Sequence, residues 1–181
     1  MKMEEFLKKW GDKVEWDEFI RELRIEDAEV YESDDLHKLE EEIKELDISE
    51  TGLSSLDYRK LPKKVKKIVA RWCENLKEID LSGMDEIEEL NVSWTGLSFL
   101  DYRRLPKKMK RIDASWCKNL KEIDLSGLEE VEELNVSDTD ISSLNHHKLP
   151  RKVKKIDASW CKNLKEVDLS GLEEIEELNI S

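Results

Sequence analysis

The chain has 181 residues, of which 41% are charged and 38% hydrophobic, with a formal net charge of −13. That length fits one domain or one short repeat array, and the fixed intervals at which Leu, Ile and Val recur set it apart from a disordered acidic chain. The acidic balance argues against nucleic acid, which needs clustered, uncompensated Lys and Arg, and no apolar run approaches the ~20 residues of a membrane span.

The N-terminus, Met1-Lys2-Met3-Glu4-Glu5, is acidic and lacks the apolar stretch of a signal peptide. The expected setting is therefore cytoplasmic or another reducing compartment. Residues 1–42 are expected to form a helical N-terminal cap with a degenerate first coil. Glu4 to Trp10 reads as a helix ended by Gly11, a favourable residue just past a helix terminus. Val14, Trp16, Phe19, Ile20 and Leu23 then recur partly at helical spacing. Ile20, Leu23, Ile25, Ala28 and Val30 also fit an imperfect repeat start. A repeat array needs such a cap because its first coil otherwise exposes the core.

Internal repetition governs the rest. Leu-Pro recurs at 61–62, 105–106 and 149–150, a spacing of 44, and each such unit contains two similar halves. Writing φ for an apolar residue, the pattern φxxφxφ starts at Ile43, Val65, Ile87, Met109, Val131, Val153 and Ile175, every step being 22 residues. Alternation of inward and outward residues is the period of a strand. It predicts strands near 45–49, 67–71, 89–93, 111–115, 133–137 and 155–159, parallel and in one sheet. On the return half, Leu76-Lys-Glu-Ile79-Asp-Leu81-Ser-Gly83 and its copies at 120–127 and 164–171 predict a second short strand on the convex side. The alternate coils, with Pro62, Pro106 and Pro150, predict an irregular or short helical turn there. The chain ends on Leu178-Asn-Ile-Ser181. The array is thus expected to be open at its C-terminal edge, which either marks a piece of a longer protein or meets a partner or second copy.

The pattern over 43–181 resembles the leucine-rich repeat LxxLxLxxN/CxL. It departs from it regularly. Thr51, Thr95 and Thr139 stand in odd coils where the family often has Asn. Cys73, Cys117 and Cys161 stand in even coils, with one extra residue before the next apolar position, like the cysteine-containing class of these repeats. The resemblance implies an α/β-type solenoid, a right-handed superhelix with a concave parallel β-sheet, and a recognition scaffold in place of an enzyme.

The residues themselves offer little catalytic chemistry. The cysteines lie two coils apart, about 10 Å at the ~4.8 Å strand spacing and beyond the ~7 Å reach of a disulfide, so they read as buried, reduced and structural. Asn91-Val-Ser93, Asn135-Val-Ser137 and Asn179-Ile-Ser181 match the glycosylation sequon but fall on strands. His146-His147 reads as a solvated turn variant of Tyr-Arg. No nucleophile and base with an orienting acid is apparent, and with six glycines no phosphate loop forms. Calcium at the Asp47, Asp113 and Asp157 column needs a ligand density that the alternating Asn dilutes. No cofactor or metal is expected.

Three outward columns carry more information. Lys66-Lys67, Glu88-Glu89, Lys110-Arg111, Glu132-Glu133, Lys154-Lys155 and Glu176-Glu177 alternate in sign, placing opposite charges on neighbouring strands. A polar column runs Asp47, Val69, Asn91, Asp113, Asn135, Asp157, Asn179. At the eighth position stand Glu50, Trp72, Trp94, Trp116, Asp138 and Trp160. Trp and Arg are enriched in binding hot spots, and Val69 and Arg71 break their own columns beside Trp72. Trp72, Trp94, Trp116, Trp160, Arg71, Val69, Asn91 and Asp113 are therefore the candidate partner-binding residues; the competing reading of the Trp column is a stacked ladder sealing the rim. The function expected is a protein-binding module using the concave face and a Trp-lined rim, with a protein or peptide partner and neither nucleic acid nor membrane. The alternative is a structural or self-assembling repeat scaffold, engineered or cut from a longer protein, whose C-terminal edge strand associates with a second copy.

Overall fold

The computed structural model describes residues 44–61 and 63–181. The expected helical cap over 1–42 and the repeat start Ile43 lie outside the described residues. Within them the chain runs through β1 (Glu45–Asp47), β2 (Ser55–Asp57), β3 (Lys67–Val69), β4 (Glu78–Asp80), β5 (Glu89–Asn91), β6 (Phe99–Asp101) and β7 (Arg111–Asp113). It continues through β8 (Glu122–Asp124), β9 (Glu133–Asn135), β10 (Ser143–Asn145), β11 (Lys155–Asp157), β12 (Glu166–Asp168) and β13 (Glu177–Asn179).

The odd-numbered strands form one parallel sheet in sequence order. The register follows the sequence period, Leu46 facing Ile68 and Ile68 facing Leu90. The strands read from the repeat are thus present and parallel. They end near 47, 69 and their equivalents, about two residues earlier than the alternation suggests. The ladder of backbone bonds nevertheless continues, with Ile48 N donating to Val69 O at 2.8 Å and Glu50 N to Arg71 O at 2.8 Å. The eighth residue of each coil then swings into the left-handed region, φ 53° to 61°.

The middle residue of each strand points inward. Leu46, Ile68, Leu90, Ile112, Leu134 and Ile156 form a buried column continuous with Val65, Ile87, Met109, Val131 and Val153. The turn behind it is closed by side chains. Thr51 Oγ1 donates to Ile48 O at 2.9 Å, and Cys73 Sγ, from the next coil, donates to the same carbonyl at 3.1 Å. Thr95 with Cys117 and Thr139 with Cys161 repeat this at Val92 O and Val136 O. The Thr and Cys variations are two halves of one device that satisfies a buried acceptor with two lone pairs. All three cysteines are free; Cys73 and Cys117 are buried, and burial pushes the Cys117 thiol pKa up. Cys161 is only partly buried, which corrects the expectation for that residue. Leu164 and Leu169 share its coil and its partial burial, because that coil has β13 alone stacked beyond it.

The convex side is organised in pairs. β2 joins β4, β6 joins β8 and β10 joins β12, each as a separate two-stranded parallel sheet. A strand in the even coils was expected; its partner in the odd coils precedes the proline turn. That turn is a 3-10 segment over 58–60, 102–104 and 146–148. Asp57, Asp101 and Asn145 cap it by accepting from the backbone N–H two residues on. The ring of Tyr58 lies over Gly83 and that of Tyr102 over Gly127 so closely that a Cβ at either glycine would overlap the ring. In the third unit His146 replaces the tyrosine, and nothing approaches Gly171.

Candidate functional site

The outer face of the seven-stranded sheet is a groove of about 1080 Å³ lined by residues of all seven strands. Its first column is the alternating charge row. Lys67 Nζ meets Glu45 Oε1 at 2.5 Å, Arg111 pairs with Glu89, and Lys155 Nζ meets Glu177 Oε1 at 2.8 Å. Beside it Lys110 Nζ meets Glu88 Oε2 at 2.7 Å. This contact holds the Glu88 carboxyl below its ordinary range and raises Lys110. Each pair spans neighbouring strands, so the row fixes its side chains across the sheet, although pairs this exposed contribute only ~0–1 kcal/mol each.

The second column is a series of turns closed by side chains. Asp47, Asn91, Asp113, Asn135 and Asp157 each accept the N–H of the residue two positions on, at 2.9–3.0 Å. Asn91 Nδ2 also donates to Asp113 Oδ2 at 3.2 Å. Val69 has no acceptor to offer, and Arg71 N instead bonds Ser49 Oγ at 3.2 Å. The break in both columns leaves the buried Val69 beside the exposed Arg71 on the groove floor.

These turns deliver the eighth residue to a separate column outside the groove lining. Trp72 and Trp94 stack with ring centroids 4.2 Å apart, and Trp94 and Trp116 with centroids 4.6 Å apart and planes 4° from parallel. Trp160 has the same φ of 61° as Trp72 and Trp116, has no stacking partner among the described residues, and is 69% exposed against 46% for Trp72 and 42% for Trp116. The candidate residues therefore divide. Val69, Arg71, Asn91 and Asp113 share the groove, three tryptophans form a ladder outside it, and Trp160 stands apart. Sequence reading missed Lys118, and it placed Asp138 in the Trp column without naming it a candidate. Lys118 Nζ lies 5.0 Å from the Trp116 ring centroid and 2.5 Å from Asp138 Oδ1. Their signal was legible as an acid in a Trp column and a lysine two residues after Trp116.

Elsewhere, His146 Nδ1 lies 3.3 Å from Ser170 Oγ and 3.3 Å from Asp168 Oδ2. Both neighbours face the same ring nitrogen, so they form no relay through the imidazole. Among the described residues no three His, Cys, Asp or Glu side chains gather to hold a metal ion, and no helix is long and apolar enough to cross a membrane.

No family model matches the chain, and no curated protein sequence matches it. Among solved structures it is similar to internalin C2 of Listeria monocytogenes, with 14% identity and a TM-score of 0.43, over 80% of this chain and 82% of that one. It is similar also to the functional domain of InlJ from Listeria monocytogenes, described as including a cysteine ladder, with 13% identity and a TM-score of 0.42. That match covers 74% of this chain but spans only 36% of the InlJ domain. A leucine-rich-repeat protein of Leptospira interrogans matches at 13% identity and a TM-score of 0.36, over 85% of this chain and 59% of that one. Its own 22-residue pattern, its parallel one-strand-per-coil sheet and its Thr and Cys turn closures give the chain a solenoid fold of the leucine-rich-repeat type.

Proposed function

We propose that this chain is a protein-binding module that receives its partner on the concave face of the sheet, with the Trp rim at the edge of the contact. One observation carries the reading: a single groove runs across all seven strands, lined by charged and polar side chains already held by cross-strand pairs and turn bonds. Side chains fixed before binding lose less entropy when a partner arrives. Within that lining Val69 and Arg71 break the polar and serine columns, Asn91 lies on the strand beside Val69 and Asp113 on the strand after that.

The stacking of Trp72, Trp94 and Trp116 favours a second role for that part of the rim, a structural ladder along the turns. The two roles separate in one experiment. Peptides selected from a random display library against the folded chain should lose binding at least tenfold to a Val69→Lys, Asp113→Lys double variant, and their hydrogen-exchange footprint should fall on 67–71, 89–93 and 111–115. Footprints confined to the convex strands would overturn the concave reading. Retained binding by a Trp72, Trp94, Trp116 triple alanine variant would assign the ladder to structure alone. Sedimentation of the free chain over a concentration series tests the self-assembling alternative, which requires a concentration-dependent dimer.

A further inference from the structure

The rim column shows what its geometry accommodates. Trp94 fills the rung between Trp72 and Trp116 with one planar group, stacked on both sides. The next rung carries Asp138 and the one after it Trp160. Asp138 has the same left-handed backbone as the tryptophans, φ 53°, and the same bond to the following coil, its N–H donating to Ser159 O at 2.8 Å. The lattice is continuous there and only the indole is missing. Two strand spacings, roughly 9–10 Å, separate the Trp116 and Trp160 rungs. That spacing matches one flat group between two indoles, above the Asp138 side chain, which is 11% exposed.

The chain already sends a cation to this place. Lys118 Nζ sits over Trp116 and pairs with Asp138. An ammonium is a compact charge that presents no face to a ring, whereas a guanidinium is planar, stacks on aromatic faces and offers forked donors to a carboxylate. A neutral aromatic ring would cover the Asp138 carboxylate without pairing it, at a desolvation cost.

We propose that the Asp138 rung, between Trp116 and Trp160, is a slot for an arginine side chain of a protein partner, with Lys118 as the resident cation that the arginine displaces. The proposal rests on the protein-binding reading above and places a specific anchor at the rim, outside the sheet groove. It also accounts for the exposed, unstacked Trp160, whose left-handed backbone the ladder does not compensate.

The probe is N-acetyl-arginine amide titrated into the millimolar range, with the neutral isostere N-acetyl-citrulline amide as control. The indole N–H resonances of Trp116 and Trp160 are followed by NMR, with Trp94, closed on both faces, as internal reference. Arginine amide should shift Trp116 and Trp160 saturably and leave Trp94 nearly unmoved. Lys118→Ala should tighten binding several-fold and Asp138→Asn should weaken it several-fold. Asp138→Trp supplies the indole that other rungs carry, so the array should stay folded while the response disappears. Equal shifts from citrulline amide, a uniform shift across all the indoles, or an undiminished response in Asp138→Trp would each overturn the slot. Because the probe is a single amino-acid derivative, that failure is distinct from failure of the concave reading, which is judged by peptides mapped to the groove.

Discussion

At the scale of the residue, the eighth position of each coil sets two demands against each other. Its backbone lies at φ 53° to 61° in six successive coils, a region that costs an L-residue roughly 1–2 kcal/mol and that glycine enters freely. Four of the six residues are nevertheless tryptophan. Within the ladder the compensation is visible, since each stacked aromatic pair contributes ~0.5–1.5 kcal/mol beyond burial, and Trp94 makes two such pairs. Trp94→Ala should lose the stacking and keep the strain, whereas Trp94→Gly should lose both. Urea denaturation should therefore find the glycine variant more stable than the alanine variant by about 1 kcal/mol. Equal midpoints for the two would show that the turn imposes no strain at this position.

At the scale of the element, the sheet is held in register by the buried central residue of each strand, and the charge rows act on top of that. The Glu89–Arg111 pair joins β5 to β7. Each charge also has a like-signed residue two strands away, Glu133 for Glu89 and Lys67 for Arg111. Glu89→Arg should destabilise the array modestly, and adding Arg111→Glu should not fully restore it, because the swapped pair then faces like charges on its outer sides. A double-mutant cycle should give a coupling of ~0.2–1 kcal/mol that shrinks with added salt; a salt-independent coupling would assign the effect to packing. The strands were legible because Leu46, Ile68 and their successors recur every 22 residues and a slipped register would turn them outward. β2, β6 and β10 were not, because Ser55-Leu56-Asp57 is short and runs into a turn whose proline and tyrosine dominate the local signal. The columns placed Val69, Arg71, Asn91 and Asp113 together, and the groove contains them. The tryptophans were read as a column apart from that face, but their left-handed backbone was hidden, because the residues that announce such a turn, Gly and Asn, are absent from the eighth position.

At the scale of the whole molecule, two periods coexist. The concave sheet pairs every coil with the next in the same way, a 22-residue repeat. The convex side does not: β2 pairs with β4, β6 with β8 and β10 with β12, while the coils between these pairs are joined there by bonds such as Leu81 N to Arg104 O and Leu125 N to Lys148 O, both 2.7 Å. The Thr–Cys closures fall inside the same pairs, Thr51 with Cys73 and Thr95 with Cys117, as do the Tyr58–Gly83 and Tyr102–Gly127 contacts. Interfaces between coils thus alternate between richly and sparsely bonded, and in a linear array each coil draws its stability from its neighbours. The opening unit should then be the 44-residue pair. Native-state hydrogen exchange tests this through the amides of each convex pair. Those of β10 and β12 should share one opening free energy, and those of β6 and β8 another that is higher, because the coil of β12 is only partly buried and the last sheet strand, β13, has exposed Leu178 and is followed by exposed Ile180. A smooth gradient that changes at every coil, with β10 protected unlike β12, would show that the 22-residue period alone sets the cooperativity.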